Sequence, residues 1–178
     1  FRGCALLPGL VNVHTHLEYS AFRGFTRARS FGAWMGRLLL ARRKLEVDDF
    51  AVSALWGAYE CARSGVTSIA DTAYEGRAVV RAAGEAGLRA RVYLEVFGLD
   101  DTYLPEAMGR LEMRLQRMRS EAACKSGTGP GSAGGVGVWA GESAGRAGIG
   151  SGGPTVEAGV SPHAPYTVSA RLYREAAR

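Results

Sequence analysis

LPGLVNVHTHLE, residues Leu7 to Glu18, places two histidines one residue apart, directly after a short apolar run. Residues i and i+2 of a strand share one face, so the rings of His14 and His16 can point the same way. Imidazole nitrogen suits zinc, iron and other late divalent metals, and at a strand end both rings can reach one ion at about 2.0–2.1 Å. The pair is a candidate metal site, although two partly exposed loop histidines would give the same pattern.

The composition is that of a globular chain of 178 residues, 47% of them apolar, which is enough to form a core. The sequence contains no run of about 18 apolar residues, so no membrane span is expected. Cys4, Cys61 and Cys124 form neither a zinc motif nor a disulfide framework, which favours a reducing cytoplasm. The net charge of +5 comes from scattered arginines, and without a nucleic-acid motif we expect no nucleic-acid partner.

Apolar periodicity predicts strands and helices that alternate along the chain. The expected strands cover residues 10–13, 66–70, 88–97 and 156–160. The expected helices cover residues 31–43, 48–64, 76–86, 104–123 and 169–178. Alternation of this kind implies a parallel sheet with helical crossovers.

Three local expectations accompany this pattern. Residues 18–30 lack periodicity and are expected to form a loop, in which Glu18 would be solvated. Asp48 is expected to cap the second helix, whose apolar stripe is Val52, Leu55, Trp56 and Tyr59. The arginines of the fourth helix, Arg114 among them, are expected on its solvated surface.

Polar residues follow each predicted strand: His14 and His16, then Asp71, Glu95 and His163. In parallel α/β proteins the C-terminal strand ends face the active site. Four strands that contribute to one face fit the first half of a (β/α)8 barrel, which belongs to the α/β class. A doubly wound open sheet is the alternative, although no glycine-rich phosphate turn follows the first strand.

The stretch SPHAPYT, residues 161–167, strengthens the metal-site interpretation. Pro162 and Pro165 bracket His163 and restrict the backbone around it. Pro162 should end the strand because it cannot donate to a ladder. All three histidines of the chain then lie at strand ends, although a structural turn histidine is the simpler alternative for His163.

The glycine-rich stretch 126–153 does not fit this pattern. It has too little apolar content to offset the ordering of its backbone, so we expect a disordered insert. A linker of this length is unusual inside a compact barrel. A natural insertion and a sequence or frame error both remain open.

Four stretches in order resemble the chlorohydrolase and aminohydrolase branch of the amidohydrolase superfamily: LLPGLVNVHTHLE, SGVTSIADT, GLRARVYLEVFG and GVSPHAPYTVS. The resemblance covers the chain from about Leu6 to Arg178 apart from the insert. It implies a metal-dependent (β/α)8 TIM barrel truncated at both ends. Its implied segments are residues 1–7 as a remnant of a flanking β-sandwich, 8–125 as three βα units, 126–153 as the insert and 154–178 as an incomplete fourth unit.

The resemblance also implies roles for individual residues. His14 and His16 match the paired metal ligands of the first strand, and His163 matches a substrate-pocket histidine at the fourth. No lysine stands at that strand end, so one divalent ion is implied, with zinc favoured and iron as the alternative. Glu18 and Trp34 are further substrate-binding candidates, and Asp71 and Glu95 are candidates for supporting the metal ligands.

The remaining ligands and catalytic residues of the branch lie on later strands, so none is assigned in this chain. The resemblance implies a deaminase or amidohydrolase that acts on the C–N bond of a small heterocyclic substrate. A homo-oligomer of the intact enzyme is left open. A phosphoesterase of the polymerase-and-histidinol-phosphatase type, and an inactive truncated fragment, are the alternatives. Because a catalytic site needs three or more protein ligands, we expect the chain alone to be inactive and to bind metal weakly.

Overall fold

The computed structural model describes residues 2–25, 27–125 and 156–178. Strands and α-helices alternate through these ranges. Their bounds are β1 Leu10–Thr15, α1 Phe31–Arg42, α2 Val47–Arg63, β2 Val66–Ala73, α3 Arg77–Ala86, β3 Arg89–Val96, α4 Leu104–Lys125, β4 Val156–Pro162 and α5 Ala170–Ala176. The predicted insert, 126–153, lies outside the described residues, and residues 2–9 contain a turn but no strand or helix.

The sheet is parallel throughout and its strand order is β1-β2-β3-β4. The register places Thr15 beside Asp71, and Glu95 beside Ser161. Sequential order without a reversal is the start of a (β/α)8 barrel, whereas a doubly wound sheet reverses its order at a switch point. The predicted half-barrel is therefore confirmed.

The two faces of β3 differ as its alternation requires. Ala90, Val92, Leu94 and Val96 are buried against the helices and form the centre of the core. On the opposite face the Arg91 guanidinium donates to the Glu157 carboxylate of β4, with Nε 2.9 Å from Oε2. Beside this ion pair Gly159 leaves room for the Tyr93 ring, since a Cβ at position 159 would lie 2.6 Å from it.

α2 departs from its expected orientation. Its buried residues are small (Ser53, Ala54, Gly57 and Ala58), whereas Val52, Trp56 and Tyr59 of the predicted apolar stripe are 69%, 63% and 65% exposed. Residues 17–22 form a 3-10 turn that packs directly on α2. A Cβ at position 57 would collide with the Ser20 hydroxyl, so close approach of this turn requires the small face.

Several predicted boundaries also need correction. Glu46, rather than Asp48, caps α2: its side chain and that of Asp49 form a reciprocal capping box. β1 extends to Thr15 and β2 to Ala73, so His14 and Asp71 lie within strands. The loop expected over 18–30 begins with the 3-10 turn Leu17–Phe22. Among the described residues, no helix is both long and apolar enough to cross a membrane.

We predict that Gly76→Ala destabilises the protein and that Gly84→Ala does not. Gly76 precedes α3 with a φ of +75°, and a Cβ there would lie 2.7 Å from Leu94 and from Met118. The left-handed conformation alone costs a non-glycine residue about 1–2 kcal/mol. Gly84 lies inside the same helix with open space around it, so alanine should stabilise the protein by up to about 1 kcal/mol. Urea unfolding of both variants measures the difference, and equal stabilities would contradict this account of Gly76.

Candidate active site

His16 follows β1 directly and is held by the neighbouring strand. Its Nδ1 lies 2.6 Å from the carbonyl oxygen of Thr72 in β2, so Nδ1 carries the proton and donates it. Burial lowers the pKa of His16, against the opposing effect of this hydrogen bond. The ring is therefore neutral at neutral pH, and Nε2 keeps a lone pair that can bind a metal ion.

His14 lies in β1 and is exposed. Its ring meets that of His16 edge to face, with 4.9 Å between the ring centroids and 85° between the planes. This separation is compatible with one ion bound to a nitrogen of each ring at about 2.0–2.1 Å. The structure thus brings the two histidines together as predicted.

Glu18 is buried, with 4% of its surface exposed, which corrects the expectation of a solvated loop acid. Its carboxylate accepts the backbone N–H groups of Tyr74, at 3.2 Å, and Gly76, at 3.0 Å. Burial raises the pKa of Glu18, and these hydrogen bonds lower it in part. Glu18 therefore ties the end of β1 to the turn that follows β2.

Asp71 is fully buried in β2. Its Oδ2 accepts the backbone N–H of Leu17 at 2.7 Å, while Oδ1 has no hydrogen-bond partner among the described residues. Burial, together with the smaller effect of the Glu18 and Glu95 charges, raises the pKa of Asp71 to about 8, against the lowering effect of the Leu17 hydrogen bond. Asp71 is thus tied to the segment that carries His16, and its role in supporting the metal ligands stays a prediction.

Glu95, His163 and Thr167 form a row at the ends of β3 and β4. His163 Nε2 lies 3.8 Å from Glu95 Oε1, and Nδ1 lies 2.8 Å from the Thr167 hydroxyl. That hydroxyl donates to the Ala164 carbonyl oxygen at 3.0 Å. Burial raises the pKa of Glu95, whereas the charges of His163 and, to a smaller extent, His14 lower it. His14 and His163 therefore both act on one buried carboxyl group.

Arg114 of α4 is a site residue that sequence reasoning missed. It was expected on the solvated surface, yet it is 8% exposed. Its guanidinium donates to the carbonyl oxygens of Tyr74, at 2.6 Å, and Glu95, at 2.9 Å, and stacks 4.8 Å from the Tyr74 ring centroid. Its position beside Leu111 and Leu115 on the apolar stripe of α4 was the available signal. Arg114 fixes the backbone that carries Glu95.

Trp34 lies on α1 and is half-buried. Its ring contacts that of Phe31, with 5.7 Å between centroids. Arg42, at the end of the same helix, stacks 4.4 Å from the Tyr74 ring centroid and so joins α1 to the site. A substrate-binding role for Trp34 stays a prediction.

A divalent metal ion fits these residues in part. Two imidazoles, one with a lone pair assured by its hydrogen bond, face the same end of the sheet as three buried carboxyl groups. A cation there would favour the ionised carboxylates, including the unpartnered Asp71 oxygen. However, among the described residues no group of three or more His, Cys, Asp or Glu side chains is placed to hold a metal ion.

Comparison with known proteins identifies the family. Residues 5–178 match the Amidohydrolase family, so the chain belongs to this family, whose members generally use a divalent metal ion. The 5'-deoxyadenosine deaminase of Methanothermobacter thermautotrophicus is 31% identical over 176 residues, which cover 98% of this chain and 34% of that protein. The 5-methylthioadenosine/S-adenosylhomocysteine deaminase of Halobacterium salinarum is 40% identical over 91 residues, or 51% of this chain and 21% of that protein.

A solved structure confirms the fold. The aminofutalosine deaminase of Helicobacter pylori, in complex with methylthio-coformycin, matches 93% of this chain with a TM-score of 0.56 at 19% sequence identity. The match covers 32% of that protein. The chain therefore spans about a third of the length of the longest-matching relatives.

We predict that Glu18→Gln destabilises the protein by about 1–3 kcal/mol, because the amide replaces one acceptor oxygen with an N–H donor that faces a buried backbone N–H. Glu75→Gln is the matched control, since Glu75 lies in the same turn but is exposed, and it should change stability by less than about 0.5 kcal/mol. Chemical denaturation compares the two variants. Similar effects of both substitutions would contradict the role of Glu18.

Asp71 should also give the protein a characteristic pH dependence. A carboxyl group whose pKa rises on folding, here from 3.8 to about 8, stabilises the fold fully below pH 4 and loses this contribution as the pH rises to 8. With a chelator present, the free energy of unfolding should therefore decrease as the pH rises through this interval. The decrease should exceed that of the Asp71→Asn variant by up to about 1.4 kcal/mol per pH unit. The unpartnered amide N–H of the asparagine also changes the free energy of unfolding, by an amount that does not depend on pH. Parallel stability–pH curves would exclude this prediction.

Proposed function

We propose that the protein is a metal-dependent hydrolase that removes ammonia from a small heterocyclic substrate. The observation that carries this proposal is the His14–His16 pair, with the His16 tautomer selected by the Thr72 carbonyl. Family membership and deaminases among the similar proteins support the reaction class. The phosphoesterase alternative has no support from the family match.

An adenine nucleoside with a modified 5' position is the proposed substrate class. The names of the similar proteins support it: 5'-deoxyadenosine, 5-methylthioadenosine and S-adenosylhomocysteine share this chemistry. The rings of Phe97 and His163, with 4.6 Å between centroids and 32° between planes, offer an aromatic surface against which a purine can pack. Glu18 and Trp34 remain proposed contributors to substrate binding.

We propose that His14 and His16 are two ligands of one divalent ion, zinc in preference to iron. Such an ion, when bound, lowers the pKa of a coordinated water to near neutrality. A catalytic zinc site needs three protein ligands, so at least one further ligand would come from outside the described residues. Asp71 would hold the backbone that carries His16, through its hydrogen bond to Leu17.

The overall reaction adds one water and releases one ammonia, so that an amino-substituted ring carbon becomes a carbonyl. In this scheme His163 donates a hydrogen bond from Nε2 to a ring nitrogen of the substrate. Glu95, with Oε1 3.8 Å from the same Nε2, lies beside this contact. Thr167 holds the other ring nitrogen and thereby fixes the ring orientation.

The cellular setting is proposed on sequence grounds. Cys4 and Cys61 are free thiols, which suits a reducing cytoplasm.

Residues 1–7 are proposed to belong to a flanking β-sandwich and 8–125 to the first three barrel units.

Substitutions of the three histidines should differ in their effect on the metal content of the protein. His14→Ala and His16→Ala should each lose bound metal and reduce ammonia release from 5'-deoxyadenosine to background, because each removes a ligand. His163→Gln should keep its metal and lose about 10²-fold in kcat/KM, because only substrate contacts change. Elemental analysis and a coupled ammonia assay measure both quantities in a protein that also supplies the further ligands, whereas the present chain alone should bind metal weakly and release no ammonia.

His163→Gln is the internal control for folding and for general effects of histidine removal. Stoichiometric metal in His16→Ala would contradict the proposed ligand, and loss of metal in His163→Gln would contradict the division of roles. Release of phosphate from phosphate esters, without ammonia from any aminated purine, would overturn the reaction class.

A further inference from the structure

The hydroxyl group of Thr167 has two polar neighbours but only one proton to donate. Its oxygen lies 2.8 Å from Nδ1 of His163 and 3.0 Å from the carbonyl oxygen of Ala164. A carbonyl oxygen can only accept a hydrogen bond, whereas a ring nitrogen of neutral histidine donates or accepts according to the tautomer. Since the hydroxyl donates to Ala164, it presents a lone pair to His163. The contact with the ring is then a hydrogen bond only if Nδ1 bears a proton.

The backbone around Thr167 is fixed by the segment that follows β3. The N–H of Gly98 donates to the carbonyl oxygen of Thr167 at 2.9 Å, and the N–H of Ser169 donates to the carbonyl oxygen of Gly98 at 2.7 Å. The Ser169 hydroxyl also donates to the carboxylate of Asp101 in the same segment. These bonds keep the Thr167 hydroxyl beside the His163 ring.

The His163 ring is itself positioned by the end of β3. The backbone N–H of His163 donates to the carbonyl oxygen of Val96 at 3.2 Å, and its ring packs on that of Phe97. Nε2, on the far side of the ring from Nδ1, lies 3.8 Å from Oε1 of Glu95, which is too long for a hydrogen bond. Within the part of the chain that the structure describes, Nε2 is therefore the ring nitrogen that is open to a ligand.

We propose that Thr167 is a positioning residue that keeps the proton of the neutral His163 ring on Nδ1, so that the ring gains or loses its second proton at Nε2. The proposal rests on the proposed function for the assignment of His163 to substrate binding, and it adds the form in which the ring binds. With Nδ1 donating to Thr167, Nε2 of the neutral ring carries a lone pair and can only accept.

This arrangement restricts how His163 can contact a heterocycle. An unprotonated ring nitrogen of a purine is itself an acceptor, so the proposed hydrogen bond from Nε2 forms only with the doubly protonated His163 ring. A charged donor of this kind forms a stronger hydrogen bond than a neutral one. Thr167 thus determines which proton makes the substrate contact, although it does not touch the substrate.

NMR of the isotope-labelled histidine ring nitrogens tests the tautomer in the purified full chain, with a chelator present and at a pH where the spectra show neutral rings. A ring nitrogen that bears a proton and one that carries a lone pair have clearly different chemical shifts. The chain has three histidines, so the signals that disappear in His163→Gln belong to His163. We expect the neutral His163 ring to carry its proton on Nδ1.

Two substitutions of Thr167 test its role in this choice. Thr167→Val removes the hydroxyl and should lower the ratio of the Nδ1–H to the Nε2–H tautomer of His163 about fivefold or more, because one hydrogen bond is lost. Thr167→Ser keeps a hydroxyl and should restore the ratio, which a loss of packing alone would not do. Thr67→Val is the matched control, since Thr67 lies at the start of β2, away from the site, and it should leave the ratio unchanged. The His16 signals, set by the Thr72 carbonyl, report in each variant that the sheet end is folded.

Two results would overturn the proposal. The first is an unsubstituted chain whose neutral His163 ring carries its proton mainly on Nε2, because the Thr167 hydroxyl would then donate to Nδ1. The second is a tautomer ratio in Thr167→Val that equals that of the unsubstituted chain. The measurement needs neither metal nor turnover. A lack of ammonia release by the intact enzyme would therefore contradict the proposed function and leave the tautomer of His163 as assigned.

Discussion

The buried carboxyl group of Glu18 is the interaction on which the open end of this sheet depends. It accepts two backbone N–H groups from the turn after β2, which would otherwise be buried without partners. This contact ties the 3-10 turn that follows His16 to the turn after β2, close to the Thr72 carbonyl oxygen that accepts from His16. From the other side Arg114 donates to the Tyr74 carbonyl of the same turn. One short turn is therefore fixed from β1 and from α4 at once.

The same arrangement buries three acidic groups near one another, where their ionised forms are unfavourable. Glu18, Asp71 and Glu95 are all buried, and burial raises the pKa of each, while neighbouring carboxylate charges add to this effect for Asp71 and Glu95. The guanidinium of Arg42 offsets part of this cost for Glu18 and Glu95. The unpartnered oxygen of Asp71 shows that the protein side chains described here do not offset all of it. A site of this kind favours a bound cation, and the adjacent imidazoles supply ligands for one.

Periodicity predicted most of the fold, because strands and helices bury alternate or every third to fourth residue regardless of their neighbours. It also placed His14, His16 and His163 at one end of the sheet, since parallel strands share a C-terminal edge. The burial of Glu18 and Arg114 could not be read in this way. Both residues satisfy backbone groups of distant segments, and those partners, 56 to 58 residues away for Glu18 and 19 to 40 for Arg114, exist only once the chain has folded.

α2 shows why the largest apolar residues do not always mark the buried face. The 3-10 turn approaches this helix so closely that only serine, glycine and alanine fit between them. Close packing therefore selects the small side of α2 for the core and turns Trp56 and Tyr59 outward. Val52, Trp56 and Tyr59 are left largely uncovered by the residues that the structure describes. The size of an apolar side chain therefore does not by itself predict which face of a helix is buried.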